Sequence, residues 1–357
     1  MANDVARLDE DEPIRWNADL PPEIASPLAP FAGAVPAAPA WFEKAIAQVP
    51  GRQTVEVEGA GIELLTWGEI GKPGLIFIHG NSAHADWWSF IAPFFAADFR
   101  VAALSLSGMG DSDWRPRYSF DLFAEEIFAC AQAAGLYEAA EGPVYIGHSF
   151  GGAQALFSAV RHPQRMRACI LVDTGFGGPP TPEEFERMRA EAVARGEDPG
   201  PQIRLSQRGA RNRVYPNLEA ALARFRFMPP QVPGNLFIAD FIARRSLKPV
   251  AAEGGGTGWT WRFDPEVWVK LDRTAMAELS AAEATAPLAH IIGDRSAIIR
   301  RHALVESTRG RLPRDMPTII VPDSEHHIMV DQPLALVTAL RALLAAWAPL
   351  EAGGAVV

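Results

Sequence analysis

The chain has 357 residues, 48% hydrophobic and 21% charged, with a formal net charge of −10. Such a composition excludes a disordered or fibrous chain and supports a large buried core, in two to three domains or in one with a large insertion. The acidic balance argues against a nucleic-acid partner, which would need a basic stripe. Two cysteines, Cys130 and Cys169, make no disulfide framework and no metal pattern. They read as small buried side chains in a reducing compartment.

Residues 1–50 are rich in Pro and Ala and show little periodicity, as expected of an extension draped over the core or partly mobile. Trp41 to Gln48 is compatible with one short helix. The start, MANDVARLDEDEP, is acidic and lacks the apolar stretch of a secretion signal. No apolar run reaches the ~18 residues of a membrane span. The expected location is therefore the cytoplasm. From Gln53, the segment QTVEVEGAGIELLTW alternates apolar and polar residues around a Gly-containing turn and predicts a β-hairpin.

Short, continuously apolar runs then alternate with helix-like stretches. LIFIH (75–79), VAALSL (101–106), VYIGH (144–148), CILVD (169–173), HIIG (290–293) and TIIVP (318–322) are the strand candidates. Helices are expected near 86–96, 119–135, 150–162 and 333–347. Strands buried on both faces lose the polar alternation, and their alternation with helices predicts an α/β fold with a mostly parallel, doubly wound sheet. Residues 178–285 break the rhythm, separating two core strands by far more than an ordinary connection. This stretch is charged and helical around 181–196 and then punctuated by Pro and Gly, which predicts an inserted, mainly helical cap. The implied division is an extension (1–50), a first part of the core (51–177), the cap insertion (178–285) and a second part of the core (286–357).

The strongest chemical signal is Gly147-His148-Ser149-Phe150-Gly151, set between an apolar strand and the helix-like AQALFSAV. A serine on a sharp strand-to-helix turn needs small neighbours, because the backbone is strained and crowded there. The turn presents the hydroxyl above the sheet, with a helix N-terminus aimed at it. HGN (79–81), SGMGDSD (107–113) and SEHHIMVDQP (324–333) accompany this elbow in chain order. Together the four motifs resemble the α/β-hydrolase superfamily, over residues 52–348 apart from the cap. The resemblance is specific for fold and much less so for substrate.

It implies a nucleophile at Ser149 and a general base among the eight histidines. The family places a proline seven residues after its base, with an acid between. His326 meets that spacing with Asp331 and Pro333, and His327 misses it by one. His79 is structural in such proteins, and the side chain of His148 is expected to point away from the nucleophile. His84, His162, His290 and His302 sit in contexts typical of solvated or satisfied core groups. The backbone N–H groups of Asn81 and Phe150 are the implied oxyanion-hole donors. SGMGDSD is a turn valued for its glycines, with Asp111 and Asp113 as solvated or capping groups.

The third member departs from the common pattern. Relatives carry Gly-x-x-Asp after the sixth strand, whereas this chain reads Gly293-Asp294-Arg295-Ser296, with a serine at the acid position. Asp294 is one alternative. Asp173, which ends CILVD and lies 24 residues after Ser149, is the other and is favoured, because some members place the acid there.

Aromatic residues gather near this face: Trp87 and Trp88 after the oxyanion turn, Phe176 after Asp173, and Phe225, Phe227, Phe237 and Phe241 in the cap. They suggest an apolar pocket for a small ester, thioester or lactone, with Trp87, Trp88 and Phe176 as substrate contacts. Arg224, Arg226, Arg244 and Arg245 either bind a substrate carboxylate or pair with nearby acids. No metal or organic cofactor is implied, and the expected partner is a small molecule. The expected activity is ester hydrolysis. C–C bond hydrolysis, acyl transfer, a lyase reaction and a non-catalytic sensing module are the alternatives.

Overall fold

The computed structural model describes residues 20–175, 190, 209–252, 255–275, 279–299 and 316–347. Its strands are β1 (Gly51–Val57), β2 (Ala60–Trp67), β3 (Gly74–Ile78), β4 (Arg100–Leu104), β5 (Val144–His148), β6 (Ala168–Val172), β7 (Leu247–Ala251), β8 (Thr257–Trp261), β9 (Leu288–Gly293) and β10 (Thr318–Val321). The helices are α1 (Pro22–Ala25), α2 (Ala40–Ile46), α3 (Phe120–Ala133), α4 (Phe150–Arg161), α5 (Leu218–Leu222), α6 (Leu236–Arg245), α7 (Val267–Lys270), α8 (Ile328–Asp331) and α9 (Pro333–Ala346). No helix among the described residues is long and apolar enough to cross a membrane.

Eight strands form one sheet in the order β1-β2-β4-β3-β5-β6-β9-β10. The hairpin β1–β2 and the β2–β4 pair are antiparallel, and the remaining pairs are parallel. Each central strand is apolar throughout because both of its faces are covered. Alternate side chains divide between two cores. Leu75, Phe77, Val144, Ile146, Ile170 and Val172 join the aromatic turns after β3 and helix α9. Ile76, Ile78, Tyr145, Cys169 and Leu171 join α3 and α4 on the other face. This is the doubly wound arrangement that the periodicity predicted.

Two local expectations differ from what is observed. The stretch 86–96 is not one helix but two 3₁₀ turns, Ala85–Trp88 and Ala92–Phe94. Pro93 accounts for the break, since it has no amide hydrogen and its ring opposes a preceding helical turn. Between β6 and β9 the described residues hold α5, α6 and α7, and also an antiparallel ribbon, β7–β8, that the helical reading of this stretch did not anticipate. Its strands are five residues each, too short to separate by periodicity from irregular chain. The predicted helix at 181–196 lies outside the described residues, apart from position 190.

Residues 20–50 are packed against the rest of the molecule. Phe42 on α2 is buried, with ring centroids 4.9 Å from Phe237, 5.6 Å from Phe241 and 5.8 Å from Phe90. Arg244 Nη2 donates to the Gly33 carbonyl at 2.7 Å. The N-terminal segment thus joins α6 to the sheet-covering turns through one aromatic cluster. Truncating such a side chain removes apolar burial and leaves a cavity, at a typical cost of ~3–5 kcal/mol. Phe42→Ala is therefore expected to lower the denaturant-derived unfolding free energy by about 3 kcal/mol. A loss below ~1 kcal/mol would mean that this cluster does not hold the segment.

Candidate active site

The parallel ladder aligns the carboxyl ends of four strands. Ile78 of β3 stands opposite Gly147 of β5, His148 opposite Val172 of β6, and Val172 opposite Ile291 of β9. The residues that follow each strand therefore emerge together at one edge, the usual place for a site in such a sheet.

Ser149 follows β5 directly and caps α4, with φ 53° and ψ −117°. A non-glycine residue held at positive φ is strained and persists only when its surroundings over-determine it. Here Ser149 N–H donates to the Val172 carbonyl at 3.0 Å, while its own carbonyl accepts from Ala153 at 3.1 Å. Two glycines make the turn possible by contact. A Cβ on Gly147 would lie 2.4 Å from the Gly151 carbonyl oxygen, and one on Gly151 would lie 2.3 Å from the His79 carbonyl oxygen.

His326 comes from the loop between β10 and α8 and is buried. Its Nε2 lies 2.9 Å from Ser149 Oγ, and its Nδ1 lies 2.6 Å from Asp173 Oδ2. A carboxylate only accepts, so Nδ1 carries the hydrogen and Nε2 presents its lone pair to the serine hydroxyl. Asp173 is fully buried just beyond β6, where its N–H donates to the Ile291 carbonyl at 2.7 Å. Its Oδ1 accepts the Gly293 N–H at 3.0 Å, and Oδ2 also accepts the Ser296 hydroxyl at 2.5 Å. Asp294 is engaged elsewhere: its Oδ1 accepts the Ser324 N–H at 3.1 Å. Of the two acids weighed from sequence, Asp173 is the one the fold places against His326.

The HGN turn abuts the elbow, since a Cβ on Gly80 would lie 3.4 Å from Ser149 Cβ. Trp87 borders the same region, with ring centroids 5.8 Å from Phe227 and 5.5 Å from His327. Trp88 does not: it is fully buried in the core, 4.8 Å from Phe77. Phe176 lies outside the described residues. The arginine pair at the end of α6 is tied up structurally, Arg244 with Asp240 at 2.8 Å and Arg245 stacked 3.6 Å over Phe241.

Three residues here make contacts that the sequence reading did not give. His148 Nε2–H donates to the His326 carbonyl at 3.0 Å, and its ring sits 4.7 Å from the His326 ring. Burial, and then the neighbouring His326, pushes His148 well below the usual histidine range, so it stays neutral beside that ring. Gln231 is buried and accepts the His327 N–H at 3.0 Å, while its Nε2 donates to both Asp331 oxygens at 2.9 and 3.1 Å. Asp331 also accepts the Glu325 N–H at 2.9 Å, which braces the loop carrying His326. The third is Ser296. No local pattern marks Gln231, which lies far away in sequence, whereas Ser296 was visible as a serine at an acid's place.

A model of the alpha/beta hydrolase family matches residues 75–340, and the chain belongs to that family. An esterase of Mycobacterium tuberculosis is 26% identical over 319 residues, 85% of this chain and 92% of its own. A pimeloyl-[acyl-carrier protein] methyl ester esterase of Edwardsiella ictaluri is 32% identical over 102 residues, 29% of this chain and 36% of its own. Other curated relatives are likewise matched over a minor share of their length, 33% and 21% in two cases. The solved structure of E-2-(acetamidomethylene)succinate hydrolase superposes with a TM-score of 0.61 at 18% identity, covering 83% of this chain and 99% of that one. At that identity the likeness is one of fold.

Buried histidines around the strand ends make stability depend on pH. Desolvation lowers His84 to about 4. Its Nε2 is 2.9 Å from Ser246 Oγ. Between about pH 6.5 and 4 the unfolded chain binds a proton there that the folded chain excludes, so this contribution is complete above pH 6.5 and is lost as pH falls. His84→Gln removes the titration. The unfolding free energy of the wild type relative to that variant is expected to fall by up to ~1.4 kcal/mol per pH unit across that window. Parallel curves would contradict it.

Proposed function

We propose that this protein hydrolyses a small, largely apolar carboxylic ester, thioester or lactone through an acyl-enzyme on Ser149. The observation that carries the proposal is the continuous relay from Ser149 Oγ through His326 to Asp173, with separations of 2.9 and 2.6 Å. The esterases of Mycobacterium tuberculosis and Edwardsiella ictaluri among the relatives support the same reaction class.

In this mechanism His326 Nε2 takes the hydroxyl proton as Ser149 Oγ attacks the carbonyl carbon. Asp173 holds the imidazole in the tautomer needed for that step and stabilises the imidazolium that results. The backbone N–H groups of Asn81 and Phe150 receive the developing oxyanion, as electrostatic stabilisation of this kind requires fixed donors. His326 then gives its proton to the departing alcohol or thiol. Water, deprotonated by the same imidazole, attacks the acyl carbon and releases the acid with Ser149 restored. Trp87, whose ring lies 5.5 Å from that of His327, supplies an apolar surface for the substrate, which favours an uncharged acyl group.

Turnover of a short p-nitrophenyl ester is expected for the wild type. Ser149→Ala and His326→Ala should each lower kcat by at least about 10⁴-fold, and Asp173→Asn by about 10⁴-fold. His327→Ala should retain much of the rate, because the His327 ring is hydrogen-bonded through Nδ1 to Gln231 Oε1 rather than to the serine. Labelling of Ser149→Ala by a fluorophosphonate at the wild-type rate would refute the assignment of the nucleophile. Loss of activity in His327→Ala with survival in His326→Ala would move the base.

A further inference from the structure

Among the described residues no cationic side chain touches the buried Asp173, and its charge is met there by three hydrogen bonds. Two of them fall on one oxygen. Oδ2 receives both His326 Nδ1 at 2.6 Å and Ser296 Oγ at 2.5 Å. Ser296 is itself buried, in the turn after β9, and its Oγ accepts the Ile299 N–H at 3.2 Å. With a lone pair of Oγ occupied by that amide, the hydroxyl hydrogen is directed at the carboxylate. The Gly293 N–H holds the other oxygen at 3.0 Å. A carboxylate pinned on both oxygens from one turn cannot rotate about χ2, so the lone pair that meets the imidazole is fixed in direction.

We propose that Ser296 is a positioning residue of the active site, whose hydroxyl locks the Asp173 carboxylate toward His326 Nδ1. This rests on the reading of Ser149, His326 and Asp173 given above and extends it to a fourth side chain. The backbone geometry explains why the role falls here. The ends of β6 and β9 are neighbours in register, Val172 opposite Ile291, and both turns open toward the same imidazole nitrogen. An acid on either turn has the same target. In this chain the carboxylate stands on the β6 turn, and the β9 turn contributes the hydroxyl that orients it.

The test compares Ser296→Ala, Ser296→Thr and the exchange Asp173→Ser/Ser296→Asp in the full chain. Ser296→Ala should lower kcat/KM for the p-nitrophenyl ester about tenfold, in kcat with KM nearly unchanged. It should also move the acid limb of the pH profile upward, because a carboxylate relieved of one donor attracts the imidazolium more strongly. Ser296→Thr keeps the hydroxyl and should restore both. The exchange variant should recover at least a hundredfold over Asp173→Ser alone. A substrate-independent readout is the downfield proton NMR signal of His326 Nδ1–H, which should shift in Ser296→Ala and return in Ser296→Thr. Ser296→Ala with a wild-type rate, an unmoved acid limb and an unmoved proton signal would overturn the positioning role. Activity surviving in Ser149→Ala or Asp173→Asn would instead overturn the underlying site assignment, so the two failures are distinguishable.

Discussion

A carboxylate sealed from water must find its stabilisation in hydrogen bonds, and at Asp173 that requirement organises the whole edge of the sheet. Its partners come from two separate parts of the chain: Gly293 and Ser296 at the end of β9, and His326 after β10. Each bond is strengthened by the same burial that makes an unpaired charge costly. The turn after β6 is therefore not free to drift relative to β9, and the imidazole is held at one end by a group that is itself held.

The other end of the imidazole meets a serine whose position is equally constrained. Ser149 occupies positive φ because the chain must leave β5 and enter α4 within one residue. Close packing of Gly147 on Gly151, and of Gly151 on the carbonyl of His79, leaves no alternative path. The strain is carried by the sheet, which pins Ser149 N–H to Val172 on the adjacent strand. The result is a hydroxyl fixed at hydrogen-bond distance from an imidazole that arrives from 177 residues away in sequence.

The loop that delivers His326 has its own support. Asp331 accepts the Glu325 amide and the Gly234 amide, and Gln231 bridges Asp331 and His327. Burial raises the Asp331 carboxyl above its ordinary value, and these donors oppose that effect. Segments on either side of β9 are thereby coupled around His326, with neutral His148 donating to its carbonyl. An imidazole held by backbone as well as by side chain keeps its orientation.

How much of this was legible in one dimension follows from the range of each interaction. The buried parallel sheet was readable because continuous apolar runs alternating with helices admit few other solutions. The elbow at Ser149 was readable because its glycines answer a local steric demand, and the seven-residue spacing to Pro333 singled out His326 over its neighbour. Local pattern failed where contacts are remote or elements short. It made one helix of 86–96 despite Pro93, overlooked the ribbon β7–β8, and grouped Trp88 with Trp87 although only Trp87 borders the site. Between Asp173 and Asp294, both acids at strand ends, it favoured Asp173 on the resemblance alone, and the contact with His326 at 2.6 Å is a matter of tertiary structure. Sequence by itself determined the fold and the chemical types at its edge, because those depend on periodicity and on neighbours in the chain. Tertiary structure alone decided which carboxylate meets the imidazole and that Ser296 and Gln231 stand behind it, because these hydrogen bonds join residues 96 to 153 positions apart.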